Sequence, residues 1–147
     1  MDTLFDTLRS THYFMMVALL VFLLFTIGKF AFKLNGKEPF GAMEDKTTLM
    51  VMILAHTQLL LGLVLLFFGP ASAHFADMGE VMKNSATRMM VVEHPMMMIL
   101  GVVMITIGRI KLKKKTEAKD KYKTVVIFFA IGLVFFLSRI PWGQLHG

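Results

Sequence analysis

The chain has no cysteine among its 147 residues. That excludes disulfides, iron–sulfur clusters, thiolate-ligated haem and covalent attachment of haem. Charge is scarce where the chain is apolar. From Thr47 to Phe68 there is no Asp, Glu, Lys or Arg at all, and from Tyr13 to Phe32 only Lys29. The first residues carry Asp2 and Asp6 and no lysine run, so no cleaved signal peptide is expected. What is abundant is hydrocarbon. The hydrophobic share is 56%, above the roughly 45–50% of a soluble domain, and the mean hydropathy is +0.65.

The apolar residues fall into four long runs, from about Tyr13 to Phe32, Thr47 to Phe68, Met89 to Gly108 and Thr124 to Trp142. Each approaches the roughly 20 residues that a helix needs to cross a bilayer. Lipid offers backbone groups no hydrogen-bond partner, so runs of this length predict helices even where β-branched and aromatic residues are common. The expected fold is all-α: one integral membrane domain spanning residues 1–147, an up-down bundle of four helices at about 11–33, 46–68, 88–108 and 123–143. Leu4, Phe5 and Leu8 have helical spacing behind Asp2 and Thr3, which predicts that the first helix starts before the membrane. Asn35-Gly36 and Pro39 end it. In the link between Gly69 and Thr87, Phe75, Met78, Val81 and Met82 predict a short amphipathic helix.

Twelve of the sixteen Lys and Arg lie beside the first and third connections, eight of them between Arg109 and Lys123. The positive-inside rule places those connections in the cytoplasm and both termini in the periplasm of a bacterial inner membrane. Juxtamembrane lysines explain the basic hairpin without nucleic acid.

Against this background Val92-Glu93-His94-Pro95-Met96 stands out, because ionisable groups inside a membrane segment are costly and mark functional sites. His12, His56 and Arg139 are the other exceptions. On the helix rise, His12 stands roughly 25 Å from Lys29, His94 roughly 22 Å from Arg109 and Arg139 roughly 24 Å from Lys123. His56 is deeper, roughly 15 Å from Lys46. These polar groups therefore share the outer half of the membrane, with His12 and His94 almost level on diagonal helices. Gly101, seven residues past His94, is expected to leave room beneath its ring, and Pro95 to kink the helix. The methionines at 96–98 suit adaptable packing. His74 and His146 are expected to be solvated and without a role.

Two imidazoles facing each other across a bundle suit axial ligation of haem iron. The candidate cofactor-binding residues are His12, His56, His94, Arg139 and Glu93, with His94, His12 and His56 as candidate metal ligands. Arg139 suits a haem carboxylate, Glu93 a histidine-orienting or proton-carrying role, and Gln58 a supporting bond. The leading expectation is a haem b electron-transfer protein or subunit, at most a redox component of an oxidoreductase complex, exchanging electrons with quinone or other redox subunits. The alternatives are a copper or zinc membrane protein using histidine and methionine, and a haem-free accessory subunit of a larger membrane complex.

Several stretches carry a resemblance. Thr11-His12 opens the first helix, Ala55-His56-Thr57-Gln58 through Gly62 lies in the second, and Glu93-His94 with Met97-Met98 in the third. Ile107-Gly108 precedes the lysine-rich hairpin, and Ile140-Pro141-Trp142 follows the fourth helix. Across nearly its whole length the chain resembles the small bacterial membrane proteins called cytochrome B. The resemblance implies a four-helix, cytochrome b-like membrane protein.

Overall fold

A computed structural model describes residues 2–144. Those residues form helices and turns, with no strand among them. Helix α1 runs Asp2–Phe32, α2 Ala42–Phe68, α3 Met78–Lys83, α4 Ser85–Arg88, α5 His94–Lys113 and α6 Ala118–Ser138. A π-helical turn, Met89–Glu93, joins α4 to α5 in one rod, Ser85–Lys113. By length and composition, four helices can cross a membrane: α1, α2, this rod and α6. At 31 residues α1 is roughly 46 Å long. It exceeds the roughly 30 Å hydrocarbon thickness, and its lead-in is helical from Asp2 as the spacing of Leu4, Phe5 and Leu8 predicts.

The four long helices close a ring in which α1 touches α2 and α6, and α5 touches α2 and α6. Helix α1 therefore stands diagonal to α5. Large apolar side chains point both ways. Leu23, Val51, Ile105 and Phe129 are fully buried, whereas Val21, Phe25, Leu60 and Val134 are exposed on the outside. A helix apolar on its outer face as well as its inner one is built for a lipid surround.

Helices α5 and α6 pack most closely, and glycine is the reason. A Cβ on Gly101 would overlap the Phe136 ring, and one on Gly108 would lie 2.6 Å from Phe128 Cβ. One on Gly132 would lie 3.1 Å from Gly101 O. Small residues let helix backbones approach where hydrophobic collapse between helices is absent. The notch at Gly101 is thus occupied by Phe136, not left open beneath His94.

The ends differ from expectation in detail. Helix α6 stops at Ser138. Arg139 leaves helical geometry at φ −134°, ψ 31°, and Pro141 then disfavours helix at Ile140. The 69–87 link forms a 3-10 segment, Pro70–Ala76, followed by α3 and α4. Val81 is buried with Leu66 and Val91; Met78 and Met82 stay exposed. Phe75 stacks on Phe67, ring centres 5.6 Å apart.

The basic end is tied together by polar contacts. Buried Arg109 donates to Asp45 O at 2.9 Å, to Asp45 Oδ1 at 3.2 Å and to Thr48 Oγ1. Lys113 adds a contact to Asp45 Oδ1 at 2.9 Å. Lys33 pairs with Glu44 at 3.0 Å and Glu38 at 3.2 Å. Tyr122 donates to Pro39 O at 2.9 Å and packs edge-on against Phe30 and Phe40. The C-terminal ends of α1 and α5 thereby meet the N-terminal ends of α2 and α6.

Candidate functional site

At the opposite end the packing opens into a cavity of about 480 Å³, within the range of small-molecule and cofactor sites. It has three levels. Leu19, Leu20, Ala55 and Val102 line the deepest part. His12, Gln58, Gly62 and His94 line the middle. Phe5, Arg9, Pro70 and His74 line the outermost part. On α1 the lining residues Phe5, Arg9, His12, Met16, Leu19 and Leu20 recur at spacings of three and four, which is one face of a helix.

The His12 and His94 rings face each other from diagonal helices, with centres 6.5 Å apart and planes at 86°. His94 is fixed by its Nδ1, which donates to Arg139 O at 2.7 Å. The acceptor is a carbonyl, so that nitrogen carries the proton, leaving Nε2 with its lone pair. The carbonyl is available because α6 has ended at Ser138. His12 is fixed by packing. A methyl group on Gly62 would lie 3.1 Å from His12 Cε1, so the absent side chain is what seats the ring. The His12 Nδ1 is buried and has no hydrogen-bond partner among the described residues. Gln58 Nε2 donates to His12 O at 2.7 Å and ties α2 to α1 at this level.

The π turn sets the approach of His94. Pro95 has no N–H to give to the carbonyl four residues back. The His94 N–H reaches Met89 O, five residues back. One extra residue is accommodated, which rotates α5 against α4. Such single wide turns are frequent at functional sites.

The remaining candidates lie at or beyond the edge. His56 is exposed and is absent from the cavity wall, on the flank of α2 that meets α5. Its Nδ1 donates to Met52 O at 2.8 Å, and its Nε2 lies 3.4 Å from Thr106 Oγ1. Glu93 sits between two arginines, with Arg88 Nε at 3.9 Å and Arg139 Nε at 3.8 Å. The Arg139 guanidinium also donates to Ser138 O at 2.8 Å. Arg139 thus meets His94 through its backbone, while its side chain turns toward Glu93. The structure therefore brings His12 and His94 together, sets Arg139 and Glu93 behind His94, and holds His56 apart. Among the described residues no three His, Asp or Glu side chains converge on a point that would hold a metal ion.

Arg9 and Gly62 line the cavity without having been given a site role in the sequence, and His74, expected to be solvated and without a role, is exposed but also lines it. Arg9 had a legible signal, being three residues before His12 and hence on its face. His74 had none, since a 3-10 segment folding back over the cavity has no periodicity of its own. His146 lies outside the described residues.

Compared with protein-family models, curated proteins and solved structures, the chain matches none.

Proposed function

We propose that this chain is a haem b electron-transfer protein, or such a subunit of a larger complex, in a bacterial inner membrane, with His12 and His94 as the axial ligands. The observation that carries the reading is the facing pair of imidazoles. Metal–imidazole bonds are about 2.0–2.1 Å long. Two of them use about 4 Å of the 6.5 Å between ring centres. What is left on each side is close to the distance from a ring nitrogen to its own centre. The chain's residues fit the group in three further ways. The His94 Nε2 is left free by the bond to Arg139 O, Gly62 makes room for the His12 ring, and the cavity around both is large and mostly apolar.

Held by His12 and His94, a haem would supply one-electron transfer. The chain's own share is orientation and insulation. Arg139 O holds His94 in one tautomer and raises its basicity as a ligand. Leu19, Leu20 and Val102 exclude water from the inner half of the cavity. Resemblance to the cytochrome B proteins supports the same reading, as does the spacing of ionisable groups along the helices. Quinone or another redox subunit is the proposed exchange partner. The basic hairpin orients the chain with both termini in the periplasm.

The test is an absorption spectrum of the membrane-purified protein, oxidised and dithionite-reduced. A low-spin, six-coordinate haem b signature that responds to replacement of His12 and His94 is expected. A colourless protein expressed with haem in excess would leave the accessory-subunit reading in its place. For orientation, a C-terminal reporter of the kind that works only when exported should be active, and one that works only in the cytoplasm should be silent.

A further inference from the structure

The cavity is graded along its length. Its inner end, at Leu19, Leu20, Ala55 and Val102, offers no side-chain donor, and a carboxylate there would be stripped of water without compensation. Its outer end carries Arg9 and His74, from α1 and from the 3-10 segment Pro70–Ala76. Arg9 is one helical turn from His12 toward the outer end, about 4.5 Å along the axis. Its contact with Asp6, 3.5 Å between exposed side chains, is weak and leaves most of its guanidinium donors free. Arg88 and Arg139, the other arginines at this end, are absent from the cavity wall; both are engaged by Glu93, Arg88 also by Met82 O and Arg139 by Ser138 O.

We infer that Arg9 and His74 form a carboxylate-binding subsite that seats the two acidic side chains of the tetrapyrrole at the outer mouth of the cavity. The inference rests on the haem reading and adds the direction of insertion: acidic edge outward, apolar edge toward Leu19 and Val102. A guanidinium matches a carboxylate in charge and in its paired donors, and an imidazole N–H supplies one more. Both residues are exposed at the mouth, where the ligand's acidic groups keep part of their hydration.

The test uses the full chain prepared without cofactor in detergent, titrated separately with haem b and with its dimethyl ester, whose carboxylates are blocked. The wild-type chain should bind haem about tenfold more tightly than the ester, and both should give the same six-coordinate spectrum. The double variant Arg9→Gln, His74→Gln should hold haem only as well as the ester and leave the ester's affinity unchanged. Arg9→Lys should restore part of the difference. Equal wild-type affinity for the two ligands, or a preference for haem that survives the double variant, overturns the subsite while leaving the axial pair standing. Failure of either ligand to produce a six-coordinate spectrum in the wild-type chain overturns the haem reading, and the subsite with it.

Discussion

The two ends of the bundle are built on opposite principles. At the basic end the polar groups are satisfied and the apolar ones interlock. Arg109 has Asp45 and Thr48, Lys33 has Glu44 and Glu38, and Tyr122 is wedged between Phe30 and Phe40. At the other end a helix is widened by a π turn, another stops short of its apolar run, and a cavity remains. His12 Nδ1 and Gln58 Oε1 are buried there without hydrogen-bond partners among the described residues. Buried polar groups are normally paired, so polar atoms left open on one side of a fold mark the side that receives something. One end holds the helices in register. The other spends that rigidity on keeping two imidazoles apart at a fixed distance.

The contrast breaks most sharply at His94. On the proposed reading His94→Ala removes an iron ligand together with the anchor to Arg139 O, and cofactor content per chain should fall at least tenfold. His12→Met should retain cofactor but shift the absorption spectrum and raise the midpoint potential, as methionine ligation does. Pyridine haemochrome assay and a redox titration read these outcomes, and a normal haem content in His94→Ala would move the site elsewhere.

Next in size is the basic end. Asp45→Ala leaves Arg109 buried with fewer partners and should cost about 2 kcal/mol, below the full penalty for breaking a buried pair because Asp45 is partly exposed. Thermal unfolding in detergent would show the loss. The spectrum of the variant should match the wild type, because effects at well-separated sites add independently. A spectral change here would mean that the two ends are coupled.

Gly62→Ala sharpens the contrast at lower cost. The new methyl group meets His12 Cε1 at 3.1 Å, so the ring must shift by a few tenths of an ångström. Cofactor affinity should drop about threefold to tenfold while stability changes by less than about 1 kcal/mol. Unfolding midpoint and haem titration, measured on one preparation, separate the two quantities. The smallest effect belongs to His56→Gln, with the spectrum unchanged and stability within about 0.5 kcal/mol, as for a surface substitution. Loss of six-coordinate iron in that variant would mean that His56, not His12, faces His94.

How much of this was legible in the sequence depends on which coordinate is asked for. Height along a helix follows from counting residues, because the rise is constant. That placed His12 and His94 on one level before any contact was known. Azimuth requires a difference between faces, and these helices are apolar nearly all round, so their periodicity does not say which side is inward. His56 shows the consequence. It lies between Ala55, which is buried, and Gln58, which lines the cavity, and yet it points outward. Gly101 shows the same limit: seven residues from His94 it shares a face with it, but its space belongs to Phe136.

The sequence by itself determined the four spans, the absence of thiol chemistry, the clustering of positive charge at one end and the levels of the rare ionisable groups. All of these depend on composition and on distance along the chain, which are fixed before folding. Only the tertiary structure decided that His12 meets His94, that Arg139 contributes a carbonyl and turns its guanidinium to Glu93, and that Arg9 and His74 line one cavity with His12 and His94. Those outcomes depend on helix rotation. Rotation is set by which glycines let α5 and α6 approach, by the extra residue in the π turn and by where α6 stops, and each of these is a property of neighbouring helices in contact.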